Sequence, residues 1–405
     1  MKKGIFCIFV CVLLIATLMP VSSHITKNTN RDDVEEKLPS GTITTWMKII
    51  GGSDGDSGFS IQQTSDGGYI ITGDTDSYGI GGRDVWLVKT DMNGNEVWNK
   101  TFGITNDSAV IERGTDVLQT SDNGYIITAR IGLIKTDENG NEIWRKNFTN
   151  HGTSMCLTDD ECYVITGYNY TGKCLWMVKV DTNGNEIWEK NYENIRFDGC
   201  SIKQTTDHGY ITVGWNGIVK TDENGEKVWN ITLTTGMRCM DVVQSNDGNF
   251  TVIGWKGDWA HSNTGWFMRI DTKGQILSLK NYPRFVTGYV LNKCVQTPEG
   301  GYMITGEADS ELKYWGHLHF KLLVLKTDEK GIILRRNTYG SGENLDCGLD
   351  IKETSDGGYI VLGGTNRYGP RNTDMWLIKT DSNGKVPLVY RLLNLFPKLK
   401  NILVI

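Results

Sequence analysis

Proline is scarce, at 7 of 405 residues, and no apolar run is long enough to cross a membrane as a helix. Ile5–Met19 offers about 15 residues where a span needs roughly 20. Basic clusters are missing as well. The formal charge is −6, without the basic stripe that a nucleic-acid binder presents, so that partner is excluded. Cysteine occurs nine times but never as CxxC, which disfavours a structural zinc site. None lies between residues 12 and 155, so the first third of the chain folds without a disulfide framework. No GxSxG, HExxH or P-loop pattern is present, and no pair of adjacent cysteines suggests a quinone clamp.

The N-terminus has an address instead of a fold. Lys2-Lys3, the apolar run Ile5–Met19 and the small residues Val21-Ser22-Ser23 make a secretory leader over residues 1–23, with cleavage expected near Ser23. Cys7 and Cys11 leave with it. Seven cysteines remain, and an odd number leaves at least one thiol unpaired. Residues 24–43 are polar and charged and read as a linker.

Glycine is abundant, at 48 residues, and it recurs with a period. The stretch Ser60–Gly103 reads SIQQTSDGGYIITG, a loop, then DVWLVKTDMNGNEVWNKTFG. Its β-branched and aromatic runs, Tyr69–Gly73 and Val85–Thr90, are bounded by Asp66-Gly67-Gly68 and Asp91-Met92-Asn93-Gly94. Glycine and asparagine accept the positive φ of tight hairpins, so the unit predicts four antiparallel strands, Ser60–Thr64, Tyr69–Gly73, Val85–Thr90 and Glu96–Phe102. Strands two and three are apolar on both alternating faces, and such a sheet must be covered on both sides.

Two markers count the repeats. The basic–x–Asp–x–x–Gly turn occurs seven times, with its Asp at 91, 137, 181, 222, 271, 328 and 381. The aromatic that opens strand two occurs seven times, at Tyr69, Tyr125, Tyr163, Tyr210, Phe250, Tyr302 and Tyr359. Periods of about 40–50 residues with four strands each mark a β-propeller. The seventh unit lacks its fourth strand, because Pro387 interrupts the position where it would start. An orphan copy of that strand, Thr45-Trp46-Met47-Lys48-Ile49-Ile50-Gly51, precedes the first unit. The chain is therefore expected to be an all-β, seven-bladed propeller of four-stranded antiparallel blades over residues 44–386, closed by an N-terminal strand that completes the last blade.

The DGGY and KTDxxG turns resemble those of exported archaeal and bacterial β-propeller repeat proteins, and the closure resembles that of WD-repeat propellers. The resemblance covers Thr44–Val386 and implies the fold; that family is mostly without assigned activity, so it implies little about function. Residues 387–405 differ in character. Leu388, Leu392, Leu395, Leu399 and Ile402 recur at helical spacing, interrupted at Pro397 and flanked by Arg391, Lys398 and Lys400. This amphipathic tail reads either as a helix docked on the propeller or as a contact to a membrane or cell surface.

In a propeller the DGG and DxNG turns emerge on one face, and the loops of irregular length on the other. Function belongs on the irregular face. Its candidate ligand-binding residues are Tyr78 and Arg83 in blade one and Tyr170 in blade three. Blade five adds Trp255, Trp259 and His261; blade six Trp315, His317 and His319; blade seven Tyr368 and Arg371. Flat rings with polar edges suit sugars or peptides, whereas rings that fold down would merely cap the blades. His317 and His319 share a side of an extended strand, but without a nearby carboxylate they make a poor metal site, and no metal or cofactor is expected. The DxNG turns are read as hairpins and not calcium loops. Sialidase-like propellers also join Asp, Gly and Trp in a turn, but Gly94 to Trp98 spans four positions where theirs spans three, so glycoside hydrolysis is not expected. The expected role is a secreted or cell-surface, non-enzymatic module binding carbohydrate or protein. The alternatives are a lyase or hydrolase on the same face, or a structural adhesion component.

Overall fold

The computed structural model describes residues 43–387, except 81, 104–111, 131, 258–262, 283–287, 310–319, 341–344 and 367–372. The leader, the linker and the tail beyond residue 387 lie outside the described residues.

Seven four-stranded antiparallel sheets form the chain. Blade one consists of Asp56–Gln63, Tyr69–Thr75, Asp84–Thr90 and Glu96–Phe102. Blades two to six repeat that order, and blade seven takes Trp46–Ile50 as its outer strand, paired along Asp374–Thr380 with Trp46 opposite Lys379 and Ile50 opposite Met375. The innermost strands, Asp56–Gln63, Gly114–Gln119, His151–Leu157, Gly199–Gln204, Met237–Gln244, Tyr289–Gln296 and Cys347–Glu353, touch one another in sequence around the axis, the last against the first.

The repeat residues are the seams between blades. Every residue of Tyr69–Thr75 and Asp84–Thr90 is buried, as the two-sided apolar pattern requires. At four seams an outer-strand tryptophan packs on the next blade's opening aromatic: Trp46 on Tyr69 at 5.9 Å, Trp98 on Tyr125 at 5.9 Å, Trp188 on Tyr210 at 6.0 Å and Trp229 on Phe250 at 6.1 Å. It also occupies the space beside the next DxNG glycine. A Cβ on Gly94, where φ is +73°, would meet the Trp46 ring at 2.4 Å. Glutamines on the innermost strands clasp the neighbouring DGG turn. Ser65 N–H donates to Gln119 Oε1 at 2.8 Å, Asp159 N–H to Gln204 at 2.9 Å, and Ser355 N–H to Gln63 at 2.8 Å across the closure.

One strand boundary is corrected, and two local details emerge. The first strand of blade one starts at Asp56, four residues before Ser60, because a β-bulge at Phe59 absorbs one residue and lets pairing continue to Thr75. The lysine of each KTD turn pairs not with that turn's aspartate but with the carboxylate of the adjacent DGG turn. Lys89–Asp66, Lys135–Asp122 and Lys179–Asp160 all lie at 2.8 Å. Asp91 instead caps its own hairpin, accepting from the N–H groups of Asn93 and Asn95 at 2.9 and 2.8 Å, as a turn does. Finally, all seven cysteines of the propeller are free thiols, so no disulfide contributes.

The closure seam carries a buried acid pair. Asp374, 7% exposed, stands against Gly51, and its Oδ1 has no partner among the described residues. Burial, helped by the Asp56 carboxylate, raises its pKa from 3.8 to about 6. A carboxyl held above its unfolded pKa favours the native state increasingly as pH falls from about 6 to 4, and that gain is absent at neutral pH. Asp374→Asn should therefore raise stability at pH 7 and flatten the pH 4–6 limb of a denaturation series; an unchanged limb would refute the assignment. Trp46→Ala should cost roughly 3–5 kcal/mol in guanidinium unfolding, because it strips both the closing strand and the blade-one seam.

Candidate ligand-binding site at the channel mouth

The same β-bulge recurs in all seven innermost strands. The pairing skips Phe59, Thr115, Thr153, Cys200, Met240, Asn292 and Leu349. A bulge re-aims its extra side chain, and all seven of these residues line two cavities where the irregular loops open. One, of about 430 Å³, is bounded by Phe59, Thr115, Thr153 and Cys200 and by the charged residues Arg113, Arg130, Lys203, Lys293 and Lys352. The other, of about 340 Å³, is mainly apolar, bounded by Met240, Leu349, Val290, Trp215 and Trp255, with Arg238 and Glu307 also on its wall. Phe59, Cys200 and Lys293 belong to both.

Below the bulges, the next residue of each strand is Ser60, Asp116, Ser154, Ser201, Asp241, Lys293 or Asp350, and this ring ties the blades together. Asp116 of blade two accepts from Ser60 Oγ of blade one at 2.8 Å, and from Ser154 Oγ at 3.1 Å and Met155 N–H at 3.0 Å in blade three. Asp241 of blade five accepts from Ser201 Oγ at 2.6 Å and Cys294 N–H at 2.9 Å. Asp350 of blade seven accepts from Ile61 N–H of blade one at 3.0 Å, and the bulge residues Thr153 and Asn292 complete the circuit by donating to the carbonyls of Gly199 and Gly348. These carboxylates are occupied structurally. Although burial opposes its charge, Asp241 titrates below the ordinary range because Lys293 and Lys203 stand beside it. Burial likewise opposes the charge of Lys293, yet Asp241, Asp350 and Asp116 push its pKa upward, so the ammonium persists at every physiological pH.

At the rim, His151 is pushed below its usual pKa by burial and by Arg130, and the Tyr170 ring meets it edge-on at 4.7 Å. Burial raises Asp198, opposed by Arg130. The Arg113 guanidinium lies 4.2 Å over the Phe59 ring and donates to Asp74 at 2.7 Å. Arg238 is layered between Trp215 at 3.9 Å and Trp255 at 4.5 Å. Burial pushes the Cys156 and Cys200 thiols up to about 12, far from a thiolate nucleophile. Among the described residues no three His, Cys, Asp or Glu side chains are grouped to hold a metal.

Of the sequence candidates, Tyr170 borders the charged cavity and Trp255 the apolar one. Contrary to expectation, Trp255 does not stand in a loop; it belongs to the strand Phe250–Lys256 and is 1% exposed, its face covered by Arg238. Tyr78 folds down and stacks on buried Trp86 at 5.6 Å, capping blade one. Arg83 pairs with Asp76 at 3.1 Å and approaches Asp74 at 4.0 Å. Trp259, His261, Trp315, His317, His319, Tyr368 and Arg371 lie outside the described residues. Sequence reasoning missed the channel lining itself. Aligning the seven first strands would have placed Asp116, Asp241, Lys293 and Asp350 at one register position, where charge on a buried strand points to the axis.

No protein-family model and no curated protein matches the chain. Solved structures match it in shape. A catalytically inactive variant of virginiamycin B lyase from Staphylococcus aureus, with quinupristin, aligns at 11% identity, covering 83% of this chain and 99% of the lyase, with a TM-score of 0.55. Sqt1 from Chaetomium thermophilum aligns at 11% identity over 84% of this chain and 98% of its own, TM-score 0.54. The Pan2 WD40 domain of Neurospora crassa aligns at 12% over 86% and 99%, TM-score 0.52. The likeness is one of fold.

Asp116→Ala removes a carboxylate that three blades share and leaves several donors unmet. It should destabilise the propeller by roughly 3 kcal/mol in denaturant titration; a change under about 0.5 kcal/mol would deny the ring its structural role.

Proposed function

We propose that the protein is an exported, non-enzymatic propeller that binds a protein segment at the irregular-face end of its channel. The convergence of all seven bulge residues on two adjoining cavities carries this reading. Concave sites with apolar walls and a few placed polar groups are where ligands bind, and this one draws on every blade. The carboxylates that would serve as acid or base are engaged between blades, and the thiols are held protonated. The mixed cationic and apolar wall favours a protein segment. A neutral saccharide is the second reading, favoured by the Tyr170 ring, which is 54% exposed beside the cavity. The leader over residues 1–23 supports export, and the basic amphipathic tail over 387–405 supports surface retention.

Peptide and glycan arrays probed with the exported chain should give peptide hits that weaken at least tenfold in Phe59→Ala. Blank peptide arrays, or hits indifferent to Phe59, would overturn the binding role. Cell fractionation should find the protein outside the cytoplasm, and deleting residues 387–405 should release it from the cell surface.

A further inference from the structure

The two cavities differ in chemistry along one boundary, and that difference specifies a ligand. The larger is lined by five cationic side chains, Arg113, Arg130, Lys203, Lys293 and Lys352, and three carboxylates, Asp116, Asp198 and Asp350. This local excess stands in a chain whose overall charge is −6. The carboxylates do not neutralise it evenly. Asp116 is spent on hydroxyl and backbone donors of three blades. Asp350 accepts one proton of Lys352 at 3.0 Å while also holding the N–H groups of Ile61 and Ile351. Lys293 approaches Asp241 only at 3.5 Å. The ammonium of Lys203 and the guanidinium of Arg130 make no hydrogen bond or ion pair among the described residues. An ammonium carries three donors and a guanidinium five, so most of the hydrogen-bonding capacity in this half of the channel has no acceptor among the described residues.

We infer that the channel mouth is an anion receptor in which Lys203, Lys293 and Lys352, with Arg130 at the rim, hold a carboxylate whose adjoining apolar group rests against Phe59, Met240 and Leu349. The apolar cavity is large enough for a phenyl-sized group and shares Phe59 and Lys293 with the charged one. A carboxylate gains charge-assisted hydrogen bonds from lysine and arginine, and low-dielectric walls around a cationic cleft strengthen them. This inference rests on the binding role proposed above and names the chemistry of its ligand. The carboxylate has two sources, a small aromatic acid or the free C-terminus of a protein segment.

Calorimetry on the exported chain separates them. The small-acid arm compares phenylacetate with phenylacetamide; the chain-end arm compares acetyl-Gly-Gly-Phe as free acid and as amide. In at least one arm the acid should bind tenfold or more tightly than its amide at low salt, with the gap shrinking in 0.5 M NaCl. Lys203→Met should abolish the preference, and Lys203→Arg should retain it. Because Lys203 makes no hydrogen bond or ion pair among the described residues, the Tm of Lys203→Arg, which keeps the charge beside Asp241, should match the parent, and that of Lys203→Met should fall only slightly. Equal affinity of acid and amide in both arms, or a preference that survives Lys203→Met, overturns the inference. Array peptides that bind Lys203→Met as well as the parent would preserve the binding role while sinking the anion receptor.

Discussion

A blade that is apolar on both faces cannot stand alone, and a row of such blades cannot have ends. Four seams here join a tryptophan of one blade to an aromatic and a glycine of the next, and a broken seam would expose a whole sheet face to water. That requirement dictates the closure. The chain's first strand must travel to its last blade, and Trp46 then repeats on Tyr69 and Gly94 the contact that Trp98 makes on Tyr125 and Gly140. The same constraint explains why the motif spacing is stricter than the sequence between motifs. The recurring turns are seams, and the loops on the opposite face are not.

The architecture was legible because its signals are local and repeated. Turn glycines announce positive φ, paired apolar faces announce stacking, and seven copies average out the noise of any one. Even the exceptions obey this logic, since Asn123 and His208 occupy with φ near 63° the turn position held by Gly67 at 83°. The partner of Lys89 was not legible for the opposite reason. The aspartate two positions along the sequence is nearer in the chain than Asp66, but hairpin geometry turns it toward its own backbone N–H groups.

The site was harder to see. Loop aromatics attract notice in a sequence, yet Tyr78 serves as a lid on Trp86 and Trp255 as a shelf for Arg238. The residues that converge are instead single positions in seven separate strands, apolar at Phe59, Met240 and Leu349 and charged at Lys203, Lys293 and Lys352, each inconspicuous beside its neighbours. Lys203 looks like an ordinary alternating strand residue until the ring places it with Lys293 and Lys352 in one cavity. Convergence of that kind depends on closure, which no single repeat encodes.

The recurring bulge has an evolutionary consequence. The extra residue in each innermost strand takes no part in the pairing register. Thr115, Thr153 and Asn292 use that position to donate to a carbonyl of the next blade, whereas Phe59, Met240 and Leu349 are uncoupled from the seams that hold the toroid shut. Phenylalanine, threonine, cysteine, methionine, asparagine and leucine all occupy it within this one chain. The apolar ones among these positions, on a rigid collar, form a part of the lining that mutation can rewrite one letter at a time, leaving the scaffold's folding intact while its selectivity drifts.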